Sequence, residues 1–136
     1  MTPAEAAEAW ALTWKDAWET LDVEAIVALY SAGALLSTEP FREPYRGRDG
    51  VRDYVSRVFG EEESPEVHVG IPIVDGDRAA IPWWASLLEE GVDTTLAGTS
   101  VLRFDTDGLV VEQWDTWNLA PERRQPPTGW SPFAED

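Results

Sequence analysis

Residues 94–118 read TTLAGTSVLRFDTDGLVVEQWDTWN, two β-rich runs joined by the turn residues Asp105, Thr106, Asp107 and Gly108. Such a turn between alternating runs predicts a long hairpin. Side chains alternate across a strand, so Leu109, Val111, Gln113, Asp115 and Trp117 are expected on one side of the second strand. Asp115 then stands as an isolated carboxylate among largely apolar neighbours. Such a group is costly to bury unless it is paired or protonated. Asp115 is therefore the first candidate for chemistry.

The complementary stretch, residues 21–55, reads LDVEAIVALYSAGALLSTEPFREPYRGRDGVRDYV. Asp22 is a natural cap for a short second helix with Ala25, Ile26, Leu29 and Tyr30 on its apolar face. Residues 35–38 read as a short strand. Pro40, Pro44 and Gly47 forbid a regular helix across residues 39–50. A third helix is expected to start near Arg48 and Asp49, carrying Val51, Tyr54, Val55, Val58 and Phe59. Upstream, Thr2 and Pro3 open a helical run in which Trp10, Trp14, Trp18 and Leu21 form an aromatic stripe.

Beyond the third helix the chain is strand-like. Residues 67–74 turn at Asp75, Gly76 and Asp77 into 79–88, and Glu89, Glu90 and Gly91 turn into 94–104, followed by 109–119. Pro72 and Pro82 imply strand ends, edges or bulges. Helices first and an antiparallel meander after is an α+β layout, with helices packed on one sheet face. A single domain over residues 1–119 is expected. Residues 120–136 form a proline-rich tail that is expected to dock through Trp130 and Phe133.

Composition narrows the class. A chain of 136 residues can bury about two-thirds of its unfolded surface. At 43% hydrophobic residues it is built to fold despite a net charge of −16. That charge repels phosphate backbones, and no basic stripe offsets it, so nucleic acid is not an expected partner. There is no cysteine, hence no disulfide or thiolate site. No run approaches the roughly 20 apolar residues of a membrane span, and no basic start with an apolar signal region is present. A cytoplasmic location is the expectation. The eight tryptophans point to an aromatic core or an aromatic-lined cavity.

The motif DVEAIVALY, the loop TEPFREPYRGRDGVRDYV and the hairpin VLRFDTDGLVVEQWDTW, in that order, resemble the nuclear-transport-factor-2-like superfamily, specifically its SnoaL-like and ketosteroid-isomerase-like members. The resemblance spans about residues 6–118. It implies a cystatin-like cone, in which three N-terminal helices pack against a strongly curved, mostly antiparallel sheet whose mouth holds a small apolar ligand. It also implies homodimers through the outer sheet face. The fold hosts enzymes and non-enzymes, so function must be argued from the site.

Matched residue by residue, the base of ketosteroid isomerase falls on Glu39, ahead of Pro40. Its two oxyanion acids fall on Trp14 and Ser100, which are not acids. The Asp-Arg-Asp set of limonene epoxide hydrolases finds only Arg103, and the histidine pair of scytalone dehydratase finds only His68. SnoaL-type polyketide cyclases place one aspartate on the last strand, where Asp115 stands in a similar position.

Asp115, Glu39 and His68 are thus the candidate catalytic groups, Asp115 as general acid/base. Against this, Asp115 could be a bonded structural carboxylate or an outward-facing strand residue, Glu39 a solvated loop acid and His68 an exposed or dimer-interface histidine. Trp14, Trp18, Trp83 and Trp117 are candidate cavity walls or plain core. Tyr30 and Tyr54 could offer hydroxyls to a ligand, while Trp14, Ser100 and Gln113 could stabilise an oxyanion. No metal-binding, phosphate-binding or dinucleotide motif is present, so cofactor-independent chemistry is expected. Three roles follow: an enzyme performing cyclisation, isomerisation or dehydration through an enolate on a hydrophobic carbonyl compound, a non-catalytic ligand-binding module, or a dimeric assembly protein.

Overall fold

The computed structural model describes residues 1–130 and 133. Helix α1 spans Pro3–Thr20 and opens with a reciprocal capping box, in which Glu5 N donates to Thr2 Oγ1 (3.1 Å) and Thr2 N to Glu5 Oε1 (3.0 Å). Its buried stripe includes Ala7, Trp10, Ala11 and Trp18. Asp22 caps α2, Val23–Val27, which is only five residues long. Tyr30 is not on that helix: it begins β1, Tyr30–Ser37, so the strand expected over 35–38 starts earlier. After the short β2, Tyr45–Arg46, helix α3 runs over Gly47–Gly60. Gly47 has φ +67°, and a Cβ there would press on the Ala32 carbonyl oxygen at 3.0 Å, so the loop-to-helix entry favours glycine.

The remaining strands are β3 (Glu62–Val69), β4 (Ile73–Asp75), β5 (Arg78–Glu89), β6 (Val92–Phe104) and β7 (Val110–Ala120). They form one sheet in the order β2-β1-β7-β6-β5-β3, with β4 also on β5. All pairs are antiparallel except β1 with β7. The single strand expected over 67–74 is in fact β3 and β4 with a break at Gly70–Pro72. Pro82, in the middle of β5, falls opposite that break, and its carbonyl accepts from Gly70 N at 2.7 Å. A missing N–H is tolerated where the neighbouring strand is interrupted.

Helices α1 and α3 lie on one face of the sheet, over Leu36, Val67, Ile81, Leu87 and Leu102, all fully buried. Across the outer face runs the backbone that follows β7. Trp84 Nε1 (2.7 Å) and Ser86 Oγ (3.2 Å) donate to the Arg124 carbonyl, and Thr95 Oγ1 (2.7 Å) donates to that of Glu122. Trp130 meets Trp84 edge-on at 6.4 Å, and Phe133 N reaches the Val69 carbonyl. Among the described residues, no helix is long and apolar enough to cross a membrane.

Three register shifts interrupt the ladders, between Tyr30 and Leu35 in β1, Glu63 and Glu66 in β3, and Arg103 and Phe104 in β6. The shifts in β3–β5 and β6–β7 each place one extra residue on one strand and reverse the inward/outward count beyond it, whereas in β1 Tyr30, Ala34 and Leu36 stay on the buried side. These shifts set the composition of the site.

Candidate active site

Between α1, α3 and the inner sheet face lies a cavity of about 240 Å³. Its walls are mostly rings and aliphatic groups, including Trp10, Trp14, Trp18, Phe59, Val67, Val69, Trp83, Leu96 and Trp117. The first three project from successive turns of α1. Trp14 stands to Trp18 at 74° with centroids 5.8 Å apart, and Trp18 to Trp83 at 61° and 5.7 Å. The rings therefore form adjoining walls rather than a stack.

Asp115 borders this cavity and the outer groove formed by Glu39, Pro40, Phe41, Arg42, Thr116 and Trp117. Its face of β7 is not the one that simple alternation gives. Phe104 pairs with Val110 and Arg103 with Glu112, so Val111 is the extra residue of a bulge. Val110, Gln113 and Asp115 consequently point inward, while Leu109 and Val111 leave the face on which they were expected. Gln113 and Trp117 do share the Asp115 side.

The Asp115 carboxyl is held through one oxygen. Ser100 Oγ donates to Oδ1 at 2.6 Å and Gln113 Nε2 to the same atom at 3.0 Å. No described protein group bonds Oδ2, which is left to the cavity. Behind this pair lies a chain whose proton positions are fixed by counting donors and acceptors. The Tyr30 hydroxyl accepts from Trp10 Nε1 (3.4 Å) and Trp14 Nε1 (3.2 Å), so its own proton goes to Gln113 Oε1. The Gln113 amide must then present its NH2 to Asp115. On the other side Trp83 Nε1 donates to Ser100 Oγ at 3.0 Å, which turns the Ser100 proton toward the carboxylate.

Burial pushes the Asp115 carboxyl up to about 6, against the opposing pull of the Ser100 and Gln113 donors. Burial likewise keeps the Tyr30 and Tyr54 phenols above their ordinary value, so both stay protonated. The Tyr54 hydroxyl lines the cavity and bonds no described protein group, although Arg57 lies over its ring.

The structure thus brings Asp115, Glu39, Trp14, Trp18, Tyr54, Trp83, Ser100, Gln113 and Trp117 around one space, Glu39 being exposed at its mouth. Two candidates lie elsewhere. Tyr30 is buried behind the wall with its hydroxyl fully engaged, because it sits on β1 rather than on α2. His68 follows Val67 and precedes Val69, both inward, so it points to the outer face and meets Glu66 Oε1 at 3.2 Å. Trp14, Ser100 and Gln113 spend the donors expected for an oxyanion on Tyr30 and Asp115.

Glu62 was not among the sequence candidates. It is only 4% exposed, lines the cavity and accepts from Trp18 Nε1 at 2.7 Å. Burial pushes its carboxyl up to about 7, opposed by the Trp18 bond and reinforced by the Glu89 and Glu61 charges. Counting by twos from Val67 puts Glu63 inside and Glu62 outside. The bulge between Glu63 and Glu66, with Ser64 at φ +52°, reverses this. Within the run Glu61-Glu62-Glu63 no local signal singles out the buried member.

The fold and site define a class: an α+β protein whose helices and sheet enclose a carboxylate-bearing cavity of small-molecule size. The SnoaL-like domain family matches residues 11–113, and the chain belongs to that family. The match stops two residues before Asp115. No curated protein sequence matches the chain. Among solved structures, it is similar to the epoxide hydrolase/cyclase-like enzyme SalBIII of pyran ring formation in the polyether salinomycin. That similarity has a TM-score of 0.75 and 16% identity over 86% of this chain and 95% of that one. It is also similar to a hypothetical protein with a ketosteroid isomerase-like fold from Catenulispora acidiphila DSM 44928, in complex with trimethylamine. There the TM-score is 0.70, with 16% identity over 79% of this chain and 83% of the other. At these identities the likeness is one of fold.

Proposed function

We propose that the protein is a small-molecule enzyme in which Asp115 moves a proton on a hydrophobic carbonyl compound without a cofactor. The observation that carries this reading is the one-sided grip on the carboxyl. Ser100 and Gln113 fix Oδ1, so Oδ2 is aimed at the cavity without a protein partner. A carboxyl titrating at about 6 is mostly ionised at neutral pH, yet basic enough to act as a general base.

Oδ2 takes a proton from the carbon beside the carbonyl, and the C–H electron pair becomes the enolate. The Tyr54 hydroxyl, protonated and free, is the donor available to the developing oxyanion. Return of the proton to another carbon completes an isomerisation. Attack of the enolate carbon on a second carbonyl, with Asp115 protonating the new alkoxide, completes a cyclisation. Loss of a β-hydroxyl as water, carrying the same proton, completes a dehydration. Glu39, exposed at the mouth, stands between the cavity and solvent. The aromatic walls, wrapped by the bulged sheet as a cone, would seat the apolar body of the substrate.

Mass spectrometry of products from a panel of hydrophobic diketones tests this reading. Asp115→Asn should lower turnover by about 10²–10⁴-fold, and wild-type kcat/KM should rise with pH through about 6. Full turnover by the variant would remove Asp115 from the chemistry. Binding reported by tryptophan fluorescence with no product from the wild type would favour the ligand-binding reading instead. We place a homodimer seam on the part of the outer face not crossed by the chain after β7, beside Trp114, and sedimentation should then report twice the 15.1 kDa mass.

A further inference from the structure

The Glu62 end of the cavity carries chemistry that proton transfer at Asp115 does not use. Glu62 Oε1 takes the Trp18 N–H, whereas Oε2 bonds no described protein group and opens on the cavity. Glu61 and Glu89 line the same end. Two arginines line the cavity, but the Arg57 guanidinium donates to the Tyr45 hydroxyl (2.8 Å) and lies over the Tyr54 ring, and that of Arg42 lies over the Tyr45 ring. Among the described residues Glu62 has no ion-pair partner.

A buried carboxylate without a counter-ion is costly, and the surrounding N–H supplies only one bond. The walls beside it are Trp14, Trp18, Trp83 and Phe59, with Trp14 at 83° to Phe59 and 6.3 Å from it. A ring that turns its π-face to the cavity attracts a cation placed there. The overall charge of −16 raises the local concentration of cations over anions.

We infer that the Glu62 end of the cavity is an aromatic cage for an alkylammonium group, with Glu62 as its counter-ion and the tryptophan rings as its walls. This goes beyond the proposed catalysis and does not depend on it: the cage would hold an amine whether or not Asp115 turns a substrate over. If both hold, the substrate carries an amine at the end remote from its reacting carbonyl.

The test compares choline with 3,3-dimethylbutan-1-ol, which has the same shape and no charge. Both are titrated into the full chain at constant ionic strength and about pH 8.5, where Glu62 is ionised, with tryptophan fluorescence and calorimetry as readouts. Choline is expected to bind at least about tenfold more tightly than its neutral twin. Glu62→Gln, which keeps an oxygen for the Trp18 N–H, should erase that preference, while Asp115→Asn should leave it in place. Equal affinities, no choline binding, or loss of the preference in Asp115→Asn rather than Glu62→Gln would each overturn the proposal. The wild-type comparison decides even if the Glu62 variant folds poorly. Failure here leaves Asp115 turnover untouched, and an inactive Asp115 leaves choline binding untouched.

Discussion

Replacing Asp115 with asparagine should make the protein more stable at pH 8 while removing the proposed activity. The folded protein holds the Asp115 proton more tightly than the unfolded chain, with a value of about 6 against an ordinary 3.8. That preference favours the native state below about pH 4, and it is lost as pH rises through about 6. The difference corresponds to about 3 kcal/mol at pH 8. Asparagine cannot ionise, and its Oδ1 can still accept from Ser100 and Gln113. The variant should therefore gain about 2–3 kcal/mol at pH 8, or about 7–10 °C in Tm for a chain of this length. At about pH 3.5 the two proteins should unfold together. Urea titrations at both pH values measure this directly. An asparagine variant less stable than the wild type at pH 8, or equally stabilised at both, would refute the claim that desolvation dominates at this carboxyl.

Glu62→Gln should act in the same direction, with its gain appearing as pH rises from about 4.5 through about 7, readable by the same titrations. Tyr30→Phe strips the acceptor from two indole N–H groups and the donor from Gln113. It should cost about 2–3 kcal/mol in urea unfolding and displace the pH midpoint of any Asp115-dependent rate. Gly98→Ala drives a methyl into the Thr116 carbonyl and to 2.7 Å from Trp117 Cβ across the β6–β7 ladder. Because that obstacle is backbone, a loss of at least about 2 kcal/mol is expected by thermal melting.

The order of elements was legible because it rests on local signals. Thr2, Pro3 and Asp22 mark helix starts through their own caps, the aromatic spacing of 10, 14 and 18 is a helical face, and the Asp105–Gly108 turn is closed by the Asp105 side chain. Trp10, Trp14 and Trp18 line the cavity from that helical face. What failed did so wherever counting by twos crossed an irregularity. Strict alternation puts Val111 and Leu109 on the Asp115 face and Glu62 on the outer one, because a bulge leaves no reliable mark in composition. Tyr30 fits the second helix by spacing and lies on β1 in the fold, because the apolar run from Ala25 to Tyr30 satisfies helix and strand alike.

By itself, then, the chain determined an α+β succession, an aromatic stripe on its first helix, and Asp115 as a carboxylate on the last strand. Tertiary structure alone decided which acids face the cavity and which donors remain unspent. Facing depends on register shifts fixed by strand pairing, β6 with β7 for Asp115 and β3 with β5 for Glu62, and a donor is free only when no acceptor from another element has claimed it.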